Sequence, residues 1–473
     1  MNNDSDNFRE NLSTADKQGK RLWVYPRKPK GKLYNLRSYL SLFQIVIMVA
    51  IPFIKINGRP LFMFNIFDRE FVIFGSGFVT RDFPIFALMM IALFIAIALV
   101  TAVYGRVFCG WACPQTVFLE MVFRKVEYWI EGDGSAQRKA AKTPLRGKRL
   151  LKRLVKLIAF YAISLFISNL FLAYVVGSDQ LIELIRTGPS SNIKLFWGVI
   201  GFSLVFFFHF TWFREQFCIY LCPYARLQSV LLDNHSQAVA YDYKRGEGRA
   251  SNRIRKEKVD TKFGDCVDCG LCVQVCPTGI DIRNGFPQLE CVNCTACIDA
   301  CDNIMEANNK PKGLIHHSSI NKIETGGKFE FTARVKSYSF LLIALTAVII
   351  VMLFDRSPVD TTFVRPHGST PIIEGEKSRN LFLIKLVNRT NEDLNLEMRI
   401  MENAGMTFIP NGMLTLSGKE VKDVNRILES QEKGQGVGKM QRVKIGIYRG
   451  EELLEIKETN YLYPRFIKEK KIK

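Results

Sequence analysis

Eight cysteines lie between residues 266 and 301 and form two runs of the same spacing, C-x-x-C-x-x-C-x-x-x-C. The runs are Cys266, Cys269, Cys272 and Cys276, and then Cys291, Cys294, Cys297 and Cys301. A 4Fe–4S cluster is held by four Cys thiolates, and this close spacing lets one loop supply three of them. The sequence therefore predicts two 4Fe–4S clusters and the transfer of single electrons.

The fourth cysteine of each run is expected to ligate the opposite cluster, as it does in two-cluster ferredoxins. Cluster 1 would then be held by Cys266, Cys269, Cys272 and Cys301, and cluster 2 by Cys291, Cys294, Cys297 and Cys276. Structural zinc is the alternative for these residues. Zinc sites usually pair two C-x-x-C units and close tetrahedrally, so two complete four-cysteine runs favour iron–sulfur clusters.

The other four cysteines form two C-x-x-x-C-P motifs, Cys109 with Cys113 and Cys218 with Cys222. We call them the CxxxCP thiols. Each pair would lie on one face if the helix continues through it. Three roles stay open for these candidate catalytic residues: a soft-metal site, with copper as the candidate metal, a redox-active dithiol, or a further cluster. Inert buried cysteines are the simpler alternative.

Long apolar blocks separated by charged stretches predict the membrane elements that position these cysteines. The chain is 48% hydrophobic and contains 36 Phe. Five blocks approach the roughly 20 residues that cross a bilayer core, and they span 38–56, 84–104, 154–176, 193–213 and 337–354. Each of the first two helix pairs is followed by F-C-x-x-x-C-P, which indicates a duplicated unit and brings all four CxxxCP thiols to one membrane face.

Basic residues beside the apolar blocks predict the orientation in the membrane. The 105–153 loop carries Lys148, Arg149, Lys152 and Arg153. Residues 1–37 are polar, with no cleavable signal peptide. We therefore expect a bacterial inner-membrane protein whose N-terminus and clusters are cytoplasmic and whose C-terminal region is periplasmic. This topology also accounts for the net charge of +20, so no nucleic-acid partner is predicted.

Five segments follow from these patterns. They are a cytoplasmic N-terminal segment (1–37), four transmembrane helices with the CxxxCP motifs (38–213), a cytoplasmic ferredoxin-like two-cluster insert (214–336), a fifth transmembrane helix (337–354) and a periplasmic domain (355–473). Short alternating stretches in the last segment, at 381–387, 394–400, 413–416, 442–448 and 453–457, predict an all-β immunoglobulin-like sandwich. No metal site is assigned to that domain.

Several polar residues near the membrane need an interpretation. His209 lies inside the fourth predicted helix, and a packing role is favoured because no partner His lies at matching depth. Arg106 and Arg214 precede the CxxxCP motifs and are interpreted as positive-inside anchors. The alternative is that they raise the potential of nearby thiolates or contact a quinone head group. His316-His317 could bind a metal, but an exposed His pair in a loop usually has no such role.

The motifs together resemble one family. They read FCGWACPQTVF, FCIYLCPYARLQ, DCVDCGLCVQVCPTGIDIRNG and LECVNCTACIDACD, after a basic N-terminus containing WVYPR. This chain resembles the cytochrome c oxidase accessory proteins, the CcoG, FixG and RdxA family, over nearly its whole length. The resemblance implies assembly of cbb-type cytochrome c oxidase and an oxidoreductase activity, the reduction of Cu(II) to Cu(I). Copper chaperones or oxidase assembly factors are then the expected partners, besides the lipid bilayer.

Two other functions remain open. One is a general electron-transfer subunit that passes electrons from quinol to a partner reductase, and the other is an oxidase assembly scaffold. No G-x-G-x-x-G fingerprint of a flavin or nicotinamide site is present. The electron donor is therefore expected to be a quinol or another protein.

Overall fold

The fold is described from a computed structural model. It describes residues 14–463 except 17, 19, 57–58, 66–69, 74–75, 79–82, 145, 189–192, 258–261, 287, 289, 328–329, 355–356, 367–370, 375–376, 391, 402–404, 419 and 432–439. The helices in chain order are α1 Lys32–Ala50, α2 Phe83–Tyr104, α3 Val107–Trp111, α4 Pro114–Phe118, α5 Arg124–Ile130, α6 Gly134–Ala141, α7 Lys148–Val176, α8 Ser178–Thr187, α9 Ile193–Phe208, α10 Pro223–Leu231, α11 Tyr243–Gly246, α12 Asn252–Glu257, α13 Leu271–Gln274, α14 Ala296–Ala307, α15 Ile320–Thr325 and α16 Ala333–Phe354. π-helical turns occur at Leu119–Phe123, His209–Phe213 and Phe217–Leu221.

Five helical segments are long and apolar enough to cross a membrane, which confirms the predicted number. They are Lys32–Phe53, Phe83–Tyr104, Lys148–Val176, Phe196–Phe213 and Ala333–Phe354. The first and third segments begin earlier in the chain than the apolar blocks that were predicted from the sequence. Lys and Arg can lie along an apolar surface while their charged ends reach water, so the added basic turns extend these helices without burying charge.

The strands in chain order are β1 Lys55–Ile56, β2 Arg59–Pro60, β3 Phe62–Asn65, β4 Glu70–Ile73, β5 Ser76–Phe78, β6 Ala238–Tyr241, β7 Ile315–Ser318, β8 Val359–Val364, β9 Ile372–Glu374, β10 Lys377–Asn388, β11 Leu394–Ile400, β12 Met406–Ile409, β13 Leu414–Leu416, β14 Val421–Ser430, β15 Met440–Arg449 and β16 Glu452–Leu462. In the order of the chain, β1 to β5 come after the first membrane helix and before the second. β6 and β7 pair antiparallel, with Val239 opposite His317, and so join the two ends of the ferredoxin-like region.

The ferredoxin-like region has a small apolar core of its own. Val239 on β6, Ile298 and Met305 on α14, and Leu314 and Ile315 near β7 are buried together. The cysteine runs extend from this core, and Cys266 and Cys272 are buried within it. The apolar residues between the cysteines therefore form the support on which the two cysteine loops rest.

The C-terminal region is all β, as predicted. One sheet has the order β12-β14-β10-β8, with β9 also on β10, and the other has the order β13-β11-β15-β16. Alternate residues of these strands, such as Phe382, Leu396, Leu428 and Ile445, fill one core that is almost fully buried. β14 was missed from the sequence because its polar residues, VKDVNRILES, show only a weak apolar alternation.

Candidate functional site

The two cysteine runs fold into loops of matching conformation. Asp268 and Gly270 in the first loop have positive φ angles of 46° and 65°, and Asn293 and Thr295 in the second have 50° and 63°. Gly, Asn and Asp adopt this left-handed conformation most easily. Thr295, which is β-branched, is buried in it, and its hydroxyl donates to the Cys294 carbonyl at 2.7 Å. These sharp turns let each short loop present three thiols to one cavity.

Each loop borders a cavity lined by the first three thiols of its own run and by the last thiol of the other run. Cavity 1 is lined by Cys266, Cys269, Cys272 and Cys301. Cavity 2 is lined by Cys276, Cys291, Cys294 and Cys297, together with Cys272. Among the described residues, no three Cys, His, Asp or Glu side chains are placed to hold a single metal ion. Thiols spread around a cavity fit a multi-atom cluster, and the all-sulfur donor set is the one that 4Fe–4S clusters use.

Burial dominates the electrostatics of the two cavities. It raises the pKa of Cys272, Cys291 and Cys301 to about 12, because a thiolate loses its hydration in an apolar surrounding. Metal ligands of this kind must be deprotonated. The buried thiolates therefore need a positively charged group inside the cavity, and an iron–sulfur cluster supplies iron cations at that place.

The two cavities differ in the groups at their borders. Next to cavity 1, the Arg283 guanidinium lies 4.0 Å from the Cys266 sulfur and pairs with Asp268 at 2.6 Å and Asp281 at 2.7 Å. Next to cavity 2, the nearest polar contact to sulfur is a neutral hydroxyl of Thr278, 3.3 Å from Cys276 among the contacts described. Cavity 1 therefore has an arginine beside one of its sulfurs, and the charge of Arg37 also acts on Cys294 of cavity 2.

Each CxxxCP motif breaks its helix at the second cysteine. Cys113 and Cys222 are both extended, with ψ of 122° and 114°, and the following prolines begin α4 and α10. In both motifs the N–H of the second cysteine donates to the carbonyl five residues earlier, at 2.9 Å. Because proline disfavours the helical conformation in the residue before it, the helix does not continue. The condition for placing each pair on one helical face is therefore not met, while the shared geometry agrees with a duplicated unit.

The four CxxxCP thiols nevertheless converge. The Cys218 thiol interacts electrostatically with the thiols of Cys109, Cys113 and Cys222, and burial raises the pKa of Cys218 to about 12. The Gln228 side chain donates to the Cys109 sulfur at 3.5 Å. The tertiary structure thus joins the two sequence repeats into one group of four sulfurs, of which Cys109 is buried and the other three are partly buried.

This group lies directly against the second cysteine loop. Cys109 and Cys294 are buried in the same apolar cluster. The Trp111 indole donates to the Asn293 carbonyl at 3.2 Å, and the α-carbon of Gly110 lies so close that an added Cβ would be 2.3 Å from the Val292 carbonyl oxygen. Cavity 2 therefore lies between cavity 1 and the CxxxCP thiols, and residues in contact connect the three sites.

Arg106 and Arg214 have different surroundings from those of surface anchors. Both are buried. Arg214 makes a bidentate pair with Glu127 at 2.8 and 2.7 Å, and Arg106 interacts electrostatically with Cys218. Burial of both side chains favours roles inside the protein over that of surface anchors, and the effect of Arg106 on Cys218 agrees with the alternative that these arginines act on nearby thiolates.

A second buried pair was missed from the sequence. Arg124 donates to Glu215 at 3.1 Å and to the carbonyl of Pro277, which follows Cys276, at 3.4 Å. Glu127 is almost fully buried as well. The signal available in the sequence was the set of acids inside the apolar stretch after the first CxxxCP motif, FLEMVFRKVEYWIE.

The histidines take structural positions. His209 packs its ring against Phe217, with centroids 4.6 Å apart, and against Phe210 and Phe213. This agrees with the packing role expected for it. His316 and His317 lie on β7, where successive side chains point to opposite faces of the strand, so they are not placed to share one metal ion.

Comparisons with known proteins agree with this geometry. Residues 213–320 match a sequence model described as a 4Fe-4S dicluster domain, and residues 86–132 match one described as a 4Fe-4S binding domain. Residues 349–464 match one described as the IG-like fold at the C-terminal of FixG. Together with the five membrane helices, these matches define a membrane-bound iron–sulfur electron-transfer protein.

Relatives with curated descriptions share most of the chain. Protein RdxA of Cereibacter sphaeroides is 31% identical over 81% of this chain and 83% of its own length, and Protein RdxB of the same organism is 30% identical over 84% and 86%. Nitrogen fixation protein FixG of Rhizobium meliloti is 26% identical over 85% and 83%. The chain belongs to the FixG and RdxA family.

Gly110→Ala tests the close contact between the CxxxCP group and the second cysteine loop. The added Cβ has no room against backbone, so we expect a loss of about 1–3 kcal/mol of stability together with lower iron content. Thermal unfolding of the purified protein and iron analysis measure both. Gly198→Ala is the matched control, because open space surrounds Gly198 on α9. An unchanged Gly110→Ala protein would contradict the packing described.

Glu127→Gln tests the buried ion pair. It leaves Arg214 charged and buried, so we expect a loss of about 3–5 kcal/mol, whereas Glu131→Gln, whose pair with Lys156 is more exposed, should cost at most about 1 kcal/mol. Arg214 holds the pKa of Glu127 below its usual range. The contribution of the pair is thus complete above the usual Glu pKa of about 4.3 and is lost as pH falls toward the lower folded value. Stability measured from pH 7 to 3 should show this loss in the native protein and not in Glu127→Gln.

Proposed function

We propose that this protein carries single electrons along its three sulfur sites and delivers them to Cu(II), forming Cu(I) for the assembly of a cbb-type cytochrome c oxidase. The observation that carries the proposal is the burial of Cys109 and Cys294 in one apolar cluster. It joins the CxxxCP thiols to cavity 2. An electron-carrying pair of clusters then has a sulfur site beside it at which a soft metal can be received.

The ligand assignment that we propose follows the lining of the cavities. Cysteines 266, 269, 272 and 301 hold cluster 1, and cysteines 276, 291, 294 and 297 hold cluster 2. When bound, the clusters supply single electrons. The protein around them excludes water from the buried thiols, such as Cys272 and Cys294, while Cys269 is exposed. Arg283 compensates negative charge beside cavity 1.

Copper is the substrate, and Cys109, Cys113, Cys218 and Cys222 receive it in this proposal. Reduction consumes one electron for each ion and turns Cu(II) into Cu(I), a soft ion that thiolates prefer. Pro114 and Pro223 hold the second cysteine of each motif in an extended conformation at the start of a helix. The duplication thereby supplies two equivalent cysteine pairs at which copper can be received. Copper ligation favours the thiolate form of Cys113 and Cys218, whose pKa burial raises.

This proposal keeps the membrane topology that was predicted from the sequence. The clusters and CxxxCP thiols face the cytoplasm of a bacterium from its inner membrane, and the C-terminal sandwich lies in the periplasm. Electrons enter from a quinol or a protein donor, and copper chaperones or oxidase assembly factors are the partners. The basic residues beside α7, among them Lys148, Arg149 and Lys152, support this orientation.

Serine substitutions test the crossed ligand assignment. Cys301→Ser should alter the same cluster signal in electron paramagnetic resonance as Cys266→Ser does, and Cys276→Ser the same signal as Cys291→Ser. This holds because each run would lend its last cysteine to the other cluster. Glu306→Gln, an exposed change on the same helix as Cys301, is the control and should leave both signals intact. If Cys301→Ser instead resembles Cys291→Ser, the crossed assignment is wrong.

Cu(II) reduction by the anaerobically reduced protein tests the activity. Changing all four CxxxCP cysteines to Ser should preserve about eight iron atoms per chain, the content of two 4Fe–4S clusters. Formation of Cu(I), followed with a Cu(I)-specific chelator, should fall at least the roughly 10- to 100-fold that loss of even an outer-shell partner costs a metal site. Equal Cu(I) formation by both proteins would refute the proposed site.

One double variant and one measurement on the native protein separate the alternatives. Cys266→Ser with Cys301→Ser keeps the CxxxCP thiols and should also lose Cu(I) formation, because the electron supply is interrupted. If this variant still supports oxidase assembly in cells, the protein acts as a scaffold. If the native protein oxidises quinol only together with a partner reductase and ignores copper, it is a general electron-transfer subunit.

A further inference from the structure

A cleft of about 840 Å³ opens beside the first turns of α1 and is separate from the sulfur sites. We call it the lysine cleft. Lys28 and Lys30 line it from the segment before α1, and Lys125 lines it from α5. Tyr34 and Trp129 are among the aromatic residues of its wall. None of these residues belongs to the electron path described above.

The wall formed by residues 28–31 is held in place by several contacts. The Lys28 N–H donates to the Asp133 carboxylate at 2.7 Å. The N–H groups of Leu33 and Tyr34, in the first turn of α1, donate to Asp299 at 3.2 and 2.8 Å. Gly31 lies so close to Asp299 that an added Cβ would be 2.2 Å from that side chain. The cleft is therefore a built feature of the fold.

The charges in the lysine cleft are unbalanced. Within the described part of the chain, no carboxylate pairs with the ammonium groups of Lys28, Lys30 or Lys125. The one acid of the cleft, Asp133, already pairs with Arg27 at 3.6 Å and accepts the Lys28 N–H. Burial and the charges of Lys28 and Arg37 lower the pKa of Lys125. An anion in the cleft would relieve this repulsion.

The position of the cleft indicates where the anion comes from. α1 is the first candidate membrane helix, and Tyr34 and Tyr39 lie in its first two turns. Trp129 is 86% exposed and Tyr39 is 73% exposed. Tyr39 lies on the membrane helix itself, and Trp129 faces the same cleft from α5. Exposed Trp and Tyr beside the end of a membrane helix are typical of the zone where lipid headgroups meet the acyl chains. Basic pockets beside membrane helices bind phosphate headgroups.

We propose that the lysine cleft binds the headgroup of an anionic phospholipid. Its phosphate is contacted by the ammonium groups of Lys28, Lys30 and Lys125, while Trp129 and Tyr39 border its acyl chains. A neutral quinol could stack on the same aromatic rings, but it would leave the three positive charges uncompensated. The net positive charge of the cleft therefore favours a lipid phosphate over a quinol.

The bound lipid has a consequence for the iron–sulfur region. Residues 28–31 of the cleft wall lead directly into the α1 turn that Asp299 caps, and Asp299 lies on α14 between Cys297 and Cys301. The Asn303 side chain on the same helix donates to the Lys30 carbonyl at 2.9 Å. A lipid that holds Lys28 and Lys30 thereby holds the contact between α1 and the helix carrying two of the cluster cysteines.

The experiment compares the full-length protein in nanodiscs of phosphatidylcholine alone and with added phosphatidylglycerol. Native mass spectrometry counts retained lipids, and lipid titration gives the apparent affinity. Changing Lys28, Lys30 and Lys125 together to Gln should weaken phosphatidylglycerol binding about 100-fold, from about 1 kcal/mol for each basic residue near an anionic surface. Thermal loss of the cluster absorbance should shift upward with phosphatidylglycerol in the native protein and not in this variant.

Lys139→Gln with Lys142→Gln and Lys148→Gln is the matched control, since it removes the same charge from exposed positions of the 105–153 loop. This control should keep the selectivity for phosphatidylglycerol. The proposal is overturned if both triple variants behave alike, or if phosphatidylcholine binds as tightly as phosphatidylglycerol. It is also overturned if inorganic phosphate alone displaces the lipid at millimolar concentration, or if a short-chain quinol displaces it while phosphatidylglycerol cannot displace the quinol.

Discussion

The contact between Gly110 and the backbone of the second cysteine loop determines how the sulfur sites are arranged. A glycine is required because the Val292 carbonyl occupies the space of a side chain. The Arg37 side chain donates to the Gly110 carbonyl at 2.7 Å, which ties α1 to the same point. Because Gly110 lies so close to Val292, the first CxxxCP motif and the second cysteine loop share an apolar cluster that contains both Cys109 and Cys294.

The buried charged residues around this contact fix the positions of neighbouring segments and add little to the net stability of the fold. Buried ion pairs gain little net free energy because both partners lose their hydration, yet removing one partner is costly. Arg124 and Arg214 are each paired with Glu residues in this way, and Arg124 also contacts the carbonyl next to Cys276. These pairs fix the stretch after the first CxxxCP motif against the cluster region. The lysine cleft differs because its charges lack such partners within the described residues.

The two cysteine-lined cavities and the CxxxCP thiols lie next to one another and close to the membrane helices. The two cavities share Cys272 in their linings, and the CxxxCP thiols follow on the other side of cavity 2. The N-terminal segment adds a further link, because Asp299 on α14 caps the first membrane helix. The lysine cleft lies at that link, so a lipid contact and the cluster helix involve the same short stretch of chain.

The sequence alone predicted the features that depend on local spacing and composition. Two cysteine runs within 36 residues, from 266 to 301, indicated the clusters, since one short loop must supply most ligands of each. Five apolar blocks indicated the membrane helices, because the bilayer requires a minimum apolar length. Alternation predicted the β-sandwich, although the polar strand β14 was not detected.

Only the tertiary structure decided contacts between residues far apart in the chain. Asp299 caps α1 across 266 residues, and Arg214 meets Glu127 across 87. It also decided that proline ends the helix in each CxxxCP motif and that the four thiols still converge, because the packing of two separate helical pairs is not encoded in the spacing within either motif.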